Sequence, residues 1–298
     1  MTAPLTRRQA LIGLAATAVL AGCRAEAAPH PDHDVAAPDL TPVEDRYGAR
    51  IGMYATDVHT GVSVEHRAGD RFAMCSTFKT YAAARVLQLS AEGDLPADTS
   101  IPIEESDIVE NSPVTSTMVG RSMTLDELCA AALMQSDNTA GNLLLRSIGG
   151  PPAVTAFARS VGDDQSRLDR WEPELNTALP GDPRDTTTAR ALAHGYRETL
   201  CGTVLADRSR DRLVGWMKAN VTSGQRFRAG LPDGWTSADK TGAGDFGSTN
   251  DAGLLIGPEG QQILMVVLTR SRDDRPDAGP FNDAIAETVR RTLGHFHR

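Results

Sequence analysis

Strand-like segments occupy the two ends of the folded part of this chain, and helical segments fill the stretch between them. IGMYATD (51–57) and VSVEHR (62–67), joined through VHTG, read as a hairpin. GWTSADKT (234–241), DAGLLIG (251–257) and QILMVVLTR (262–270) read as three further strands, the last two joined around PEG. Strands joined by tight turns run antiparallel, so a five-stranded antiparallel sheet is expected from two sets of strands far apart in sequence. Between them, helical spacing recurs over 76–90 (Phe78, Ala82, Val86, Leu89), 124–134, 138–148, 152–161, 186–200 and 206–218. Thr124 and Glu127 spell a capping box, Gly149-Gly150 stops one helix and a proline opens the next. FNDAIAETVRRTLG near the C-terminus is an amphipathic helix. The expected fold is α+β with two domains. Residues 41–70 and 219–298 make an α/β domain whose sheet is flanked by terminal helices, and 71–218 make an all-α domain. A chain of 298 residues, 40% hydrophobic and 23% charged, is long enough for both.

The N-terminus reads as a targeting segment. Arg7-Arg8, an apolar run and Leu20-Ala21-Gly22-Cys23 predict an export signal over 1–22 of the twin-arginine kind. The box before Cys23 resembles that of a lipoprotein, which makes Cys23 the expected lipidation site and the only expected link to a membrane. Residues 23–40, rich in Ala, Pro and Asp without periodicity, read as a disordered tether. The net charge is −9, and −11 without the two leader arginines. With no Lys/Arg-rich block, nucleic acid is not an expected partner. Three cysteines remain, Cys75, Cys129 and Cys201; at most one disulfide can form, and buried thiols are the expectation.

Several chemistries are excluded. There is no H-E-x-x-H, no metal-ligand spacing of cysteines and no G-x-S-x-G elbow, so neither a metal nor a cofactor is expected. Gly242, Gly244 and Gly247 spell G-x-G-x-x-G, but the next segment is a strand where a dinucleotide turn needs a helix. Those glycines read instead as letting a strand edge lie close to a bound substrate backbone. Only Lys79, Lys218 and Lys240 are lysines among 30 basic residues, and a role that needs an amine cannot pass to arginine.

Ser-x-x-Lys occurs at Ser76–Lys79 and at Ser237–Lys240. Residues three apart share a helix face but point to opposite faces of a strand, so the first pair can meet and the second cannot. A helix start at Ser76 also offers free N–H groups to a developing oxyanion. Taken singly, Ser76 could be a helix cap, Ser136-Asp137-Asn138 a turn or a helix cap, and Lys240-Thr241-Gly242 a surface lysine before a glycine turn. In this order, S-x-x-K, S-D-N and K-T-G form the set found in class A β-lactamases and penicillin-binding proteins. Residues 163–185 contain three prolines and no sustained period, and read as an ordered loop beside a site.

On these motifs the sequence resembles the class A serine β-lactamases over essentially all of 41–298. The resemblance includes WEPELN (171–176), whose Glu172 the penicillin-binding peptidases of the same serine β-lactamase / D,D-peptidase-like fold lack. It implies acyl transfer to water. Ser76 attacks the lactam carbonyl of penicillins and cephalosporins, with the N–H groups of Ser76 and Ala243 holding the oxyanion. Ser136 passes a proton to the leaving nitrogen, and Lys79 lies between the two hydroxyls and tunes both. Asn138 binds the substrate's side-chain amide, while Lys240, Thr241, Gly242 and Arg226 line the place of its carboxylate. Glu172, with Asn176, activates the deacylating water; whether Lys79 or Glu172 is the acylation base stays open. Arg170 and Asp185 close the loop as an ion pair, and Asn142 is the buried partner of Glu172. The implied product is antibiotic resistance, from a monomer acting on small-molecule β-lactams.

Departures from the family pattern are specific. Asn111 stands where an aromatic often lines the cleft mouth, and Thr249 where some members carry an arginine, a charge Arg226 then supplies. Gly244 excludes the disulfide that some members form to the position of Cys75, and Ala83 excludes one to Cys129. Ala243 in place of Ser or Thr fits a penicillin-leaning spectrum. The competing readings are a D-Ala-D-Ala peptidase or transpeptidase, which Glu172 argues against, and a non-catalytic lipoprotein that binds cell-wall peptides.

Overall fold

The strand patterns from the two chain ends pair with one another. In the computed structural model, which describes residues 37–296, a first helix α1 (Thr41–Tyr47) ends at Gly48 with φ 63° and leads straight into β1 (Ala49–Asp57). A left-handed residue at a helix end favours glycine because it has no Cβ to clash. β2 (Ser63–His66) closes the hairpin. The middle of the chain holds β3 (Arg71–Ala73), a 3₁₀ turn at Cys75–Thr77, α2 (Phe78–Glu92), β4 (Ser100–Pro102), β5 (Ser122–Thr124), α3 (Leu125–Met134), α4 (Asn138–Ile148) and α5 (Pro151–Ser160). It continues with β6 (Thr186–Thr188), α6 (Ala189–Leu200), α7 (Asp207–Lys218) and α8 (Phe227–Gly230). Three long strands come next, β7 (Thr236–Ala243), β8 (Thr249–Ile256) and β9 (Gln262–Ser271), and then α9 (Asn282–Leu293).

The main sheet runs β2-β1-β9-β8-β7, and every neighbour is antiparallel. All of β1 pairs with β9, from Ala49 opposite Ser271 to Asp57 opposite Ile263, so the first long strand is zipped to the last. The apolar run of β9 is explained by burial on both faces. Met265 and Val267 join Ile51, Met53, Ile285 and Val289 under α1 and α9. Leu264, Val266 and Leu268 alternate with them and join Phe72, Phe78 and Leu192 on the side of the helical middle. The helical segments therefore share a core with the sheet's inner face, and the described residues belong to one compact unit.

Four local expectations differ. Leu40, assigned to the tether, is fully buried in the core under α1, so the packed region starts before Thr41. Ser76 lies on the 3₁₀ turn ahead of α2 and makes no capping bond. Thr186–Thr188 pair with β3 before α6 begins, and β4 pairs with β5, so the middle of the chain is not wholly helical. Strands of three residues are too short to show an alternation. The leader, Cys23 and most of the tether lie outside the described residues.

Two features of this fold position a cleft. β7 is an edge strand, with one side of its backbone free of ladder partners. The 163–185 segment is an ordered loop with one 3₁₀ turn at Glu174–Asn176. Its ends are pinned by Asp185, which is fully buried and held at φ 56°. The Asp185 carboxylate accepts from Asp169 N (2.7 Å), Arg170 N (2.9 Å) and Arg170 Nε (2.5 Å), while its carbonyl accepts from Met74 N (2.9 Å). Asp185→Ala strands three donors in a buried place and is expected to cost about 3 kcal/mol. Urea denaturation measures this; an unchanged midpoint would refute the assignment.

Candidate active site

The site is built around an ammonium group that has no access to water. Lys79, on the first turn of α2, is fully buried. Its Nζ lies 3.0 Å from Ser76 Oγ, 2.9 Å from Ser136 O, 2.7 Å from Asn138 Oδ1 and 3.1 Å from Glu172 Oε1. Four acceptors thus surround three N–H donors. Burial pushes the Lys79 pKa down, and the Glu172 carboxylate opposes that shift without cancelling it. Lys79 reaches the carbonyl of Ser136 and not its hydroxyl, so it does not bridge the two serine hydroxyls as the sequence implied.

Gly141 explains how the lysine fits between α2 and α4. A Cβ there would lie 2.8 Å from Lys79 Cε, so any larger residue would push the lysine from its present place.

Glu172 is held from three sides. Oε1 accepts from Ser76 Oγ at 3.1 Å, Oε2 accepts from Asn176 Nδ2 at 2.5 Å, and the main chain is clamped by Asn142 on α4. Asn142 Nδ2 donates to Glu172 O, and Asn142 Oδ1 accepts from Glu172 N, both at 2.9 Å. Asn176 Oδ1 is buried and has no protein partner.

The second half of the cleft is cationic. Lys240, on β7, is fully buried, and its Nζ donates to Ser136 Oγ (2.9 Å) and Thr241 O (2.7 Å). No carboxylate among the described residues lies within ion-pair distance of it. Burial, then the charges of Lys79 and Arg226, hold its pKa well below the usual lysine value. Arg226 Nη1 donates to Gly242 O (2.7 Å) and Asn250 O (2.8 Å), and Nε to Asn282 Oδ1 (2.9 Å). Thr241 Oγ1 lies 2.5 Å from Thr222 Oγ1.

Ser76, Ser136, Asn138, Asn176, Arg226, Thr241, Gly242 and Ala243 all line one cleft of about 650 Å³. Lys79, Glu172 and Lys240 lie beneath it, bonded to the two serines. Arg170, Asp185 and Asn142 support the loop from behind. Asn111 also lines the cleft, where no aromatic stands. Thr249 is buried, and its hydroxyl accepts from Phe281 N at 3.0 Å. Cys75, Cys129 and Cys201 are free thiols, the first two buried.

The glycines after Lys240 also make close contacts within the protein. A Cβ on Gly244 would lie 2.5 Å from Asn176 O and 2.9 Å from Cys75 Sγ, and one on Gly242 would lie 3.0 Å from Met74 O. They let β7 lie against the Ser76 turn and the Glu172 loop, which brings three separate segments to one cleft. Strain is stored at the same place: Cys75 (φ 47°), Asn111 (φ 58°) and Ser136 (φ 58°) are non-glycine residues in the left-handed region.

Asp137 is the helix cap that the Ser136-Asp137-Asn138 stretch allowed, whereas Thr222 and Gly141 belong to no motif. Asp137 caps α4 through Ala140 N (2.8 Å) and holds Val114 N, Thr115 N and Thr115 Oγ1 (2.8–2.9 Å). Its place before a helix was a legible capping signal. Thr222 and Gly141 carry no local signal, because their roles depend on contacts between distant segments.

Comparisons with known proteins agree with this geometry. The sequence matches the Beta-lactamase enzyme family over residues 36–293. It is 49% identical to a β-lactamase of Streptomyces lavendulae over 95% of both chains, and 42% identical to β-lactamase FAR-1 of Nocardia farcinica over 96% of this chain and 95% of that one. The solved structure of the class A β-lactamase representing the last common ancestor of Gram-negative bacteria superposes with a TM-score of 0.83 at 48% identity, covering 87% of this chain and 98% of that one. The β-lactamase of Desulfarculus baarsii gives 0.84 at 40% identity over 87% and 96%. With a serine, two buried lysines and a loop glutamate converging on one cleft, the chain belongs to the class A β-lactamases, hydrolases that open the β-lactam amide bond.

Proposed function

We propose that Ser76 is the nucleophile and that hydrolysis proceeds through its acyl-enzyme. The observation that carries this reading is the Ser76 hydroxyl, which sits between Lys79 Nζ and Glu172 Oε1 at 3.0 and 3.1 Å. When the ammonium donates to Ser76 Oγ, the serine proton is directed at Glu172. The hydroxyl then has a base within reach, as nucleophilic catalysis requires. Ala243 stands at the exposed end of the edge strand β7 and lines the same cleft as Ser76, and its N–H with that of Ser76 is the proposed oxyanion hole. Ser136 Oγ, polarised by Lys240 Nζ, delivers the proton to the departing nitrogen. Asn138 takes the substrate's side-chain amide through the N–H it does not give to Glu110 O.

The substrate carboxylate belongs beside Lys240, Thr241 and Arg226. A buried ammonium with no carboxylate partner, next to a second, half-buried cation, is a place where an anion gains free energy. Deacylation falls to Glu172 and Asn176. The orphaned Asn176 Oδ1 beside the Glu172 carboxylate offers a second acceptor for a water, which Glu172 deprotonates.

These roles predict separable defects. Glu172→Ala should still acylate, while turnover of penicillin falls by about 10²–10⁴. Mass spectrometry should then detect the trapped adduct, and normal steady-state turnover would sink the assignment. Arg226→Ala should raise KM for carboxylate-bearing penicillins by about tenfold. Because the Arg226 charge helps hold the Lys240 pKa down, its removal lets Lys240 stay protonated to higher pH, so the alkaline rise in KM should move up. An unchanged KM and pH profile would contradict the role.

The leader and Cys23 support export and lipid anchoring as a proposal from sequence alone. Cys23→Ser should abolish incorporation of radiolabelled palmitate and release the protein from the membrane fraction. Equal labelling of both forms would refute the anchor.

A further inference from the structure

The loop that carries Glu172 walls two cavities. Pro173, Glu174, Asn176 and Thr177 line the cleft already described, whereas Ala178, Leu179 and Gly181–Arg184 line a second cavity of about 230 Å³ against β3, β9 and the turn after β7. The wall of this second cavity is chemically divided. On one side, Arg270 Nε is buried and donates to nothing, although its Nη2 is held by Asp274 Oδ1 at 2.6 Å. Beside it Ser248 is only 3% exposed, and its hydroxyl has no protein partner. The acid of the wall, Asp182, already has both carboxylate oxygens engaged by Arg184 at 2.7–3.1 Å, so donors outnumber free acceptors. The other side is apolar. Leu179 is 49% exposed, an unusual state for so large an apolar side chain here, and Phe246 is half-buried on a backbone held at φ 53°.

A buried donor without a partner, as Arg270 Nε is, carries a standing cost that an acceptor would remove. Apolar surface left open beside it would gain from a nonpolar cover. We propose that this cavity binds a small organic carboxylate with an apolar, ring-sized body. The carboxylate sits against Arg270 Nε and Ser248 Oγ, and the body against Leu179 and Phe246. The cavity is smaller than the 300–1,000 Å³ typical of drug-sized ligands, so a fragment is the fitting size. Such a ligand ties Ala178–Arg184 to β9 and restrains the segment that continues from Asn176. None of these residues belongs to the acylation machinery, so the proposal stands apart from the catalytic reading.

The test is a titration of the ¹⁵N-labelled protein with sodium benzoate, followed by amide shifts at constant ionic strength. Sodium acetate and inorganic phosphate serve as the controls. Benzoate should shift the amides of Ala178, Leu179, Gly181, Asp182 and Arg184 and of 246–248 with a Kd on the order of 1 mM. Acetate and phosphate should bind at least about tenfold more weakly, because they lack the apolar body. Arg270→Gln and Ser248→Ala should each weaken benzoate by about tenfold, with β-lactam hydrolysis by both variants unchanged. Shifts confined to the cleft around Lys240, an equal response to acetate or phosphate, or unchanged benzoate affinity in both variants would overturn the proposal.

Discussion

The ammonium of Lys79 is shut away from water, and the fold around it can be understood as the means of satisfying it. Removing an ion from water costs several kcal/mol even after relaxation. The neighbours that offset this cost come from separate places: Ser76 from the turn before α2, Ser136 O and Asn138 from the join of α3 and α4, and Glu172 from the long loop. No one of these segments is useful to the lysine without the others. The loop must close to bring the carboxylate in, which is the task of Asp185, and glycine at 141 on α4 leaves room for the lysine stem.

Lys240 presents the opposite arrangement. It is equally buried, yet it lacks the carboxylate that Lys79 has, and two neighbouring cations push its pKa further down. The two lysines therefore divide the cleft into a compensated half, where a proton can move between neutralising partners, and an uncompensated half that is held ready for an anion. Both halves meet at serines: Ser76 faces the first, and Ser136 touches Lys79 through its carbonyl and Lys240 through its hydroxyl.

The edge position of β7 connects this electrostatic division to the fold. β1 and β9 take the centre of the sheet through pairing between the chain ends, which leaves β7 with an open side. Gly242 and Gly244 then allow that side to approach the Ser76 turn and the loop as closely as backbone permits. Backbone strain at Cys75, Asn111 and Ser136 is tolerated because the surrounding contacts over-determine those positions.

The sequence by itself determined the elements and the chemistry. Period-2 runs, helical spacing and the Thr124–Glu127 capping box are local patterns, and the long strands and most helices formed where these placed them, whereas Ser76 fell on a 3₁₀ turn and 186–188 on a strand. What it could not determine was which atoms meet. Lys79 bonds to the carbonyl of Ser136 and not the hydroxyl, Gly242 and Gly244 serve protein contacts, and Gly141 and Thr222 act through partners in other segments. Three-residue strands and the buried Leu40 escaped notice for the same reason, since their state is set by neighbours and not by periodicity. Tertiary structure decided these points because a hydrogen bond depends on ångström-scale distances between segments, and sequence spacing fixes such distances only within one element.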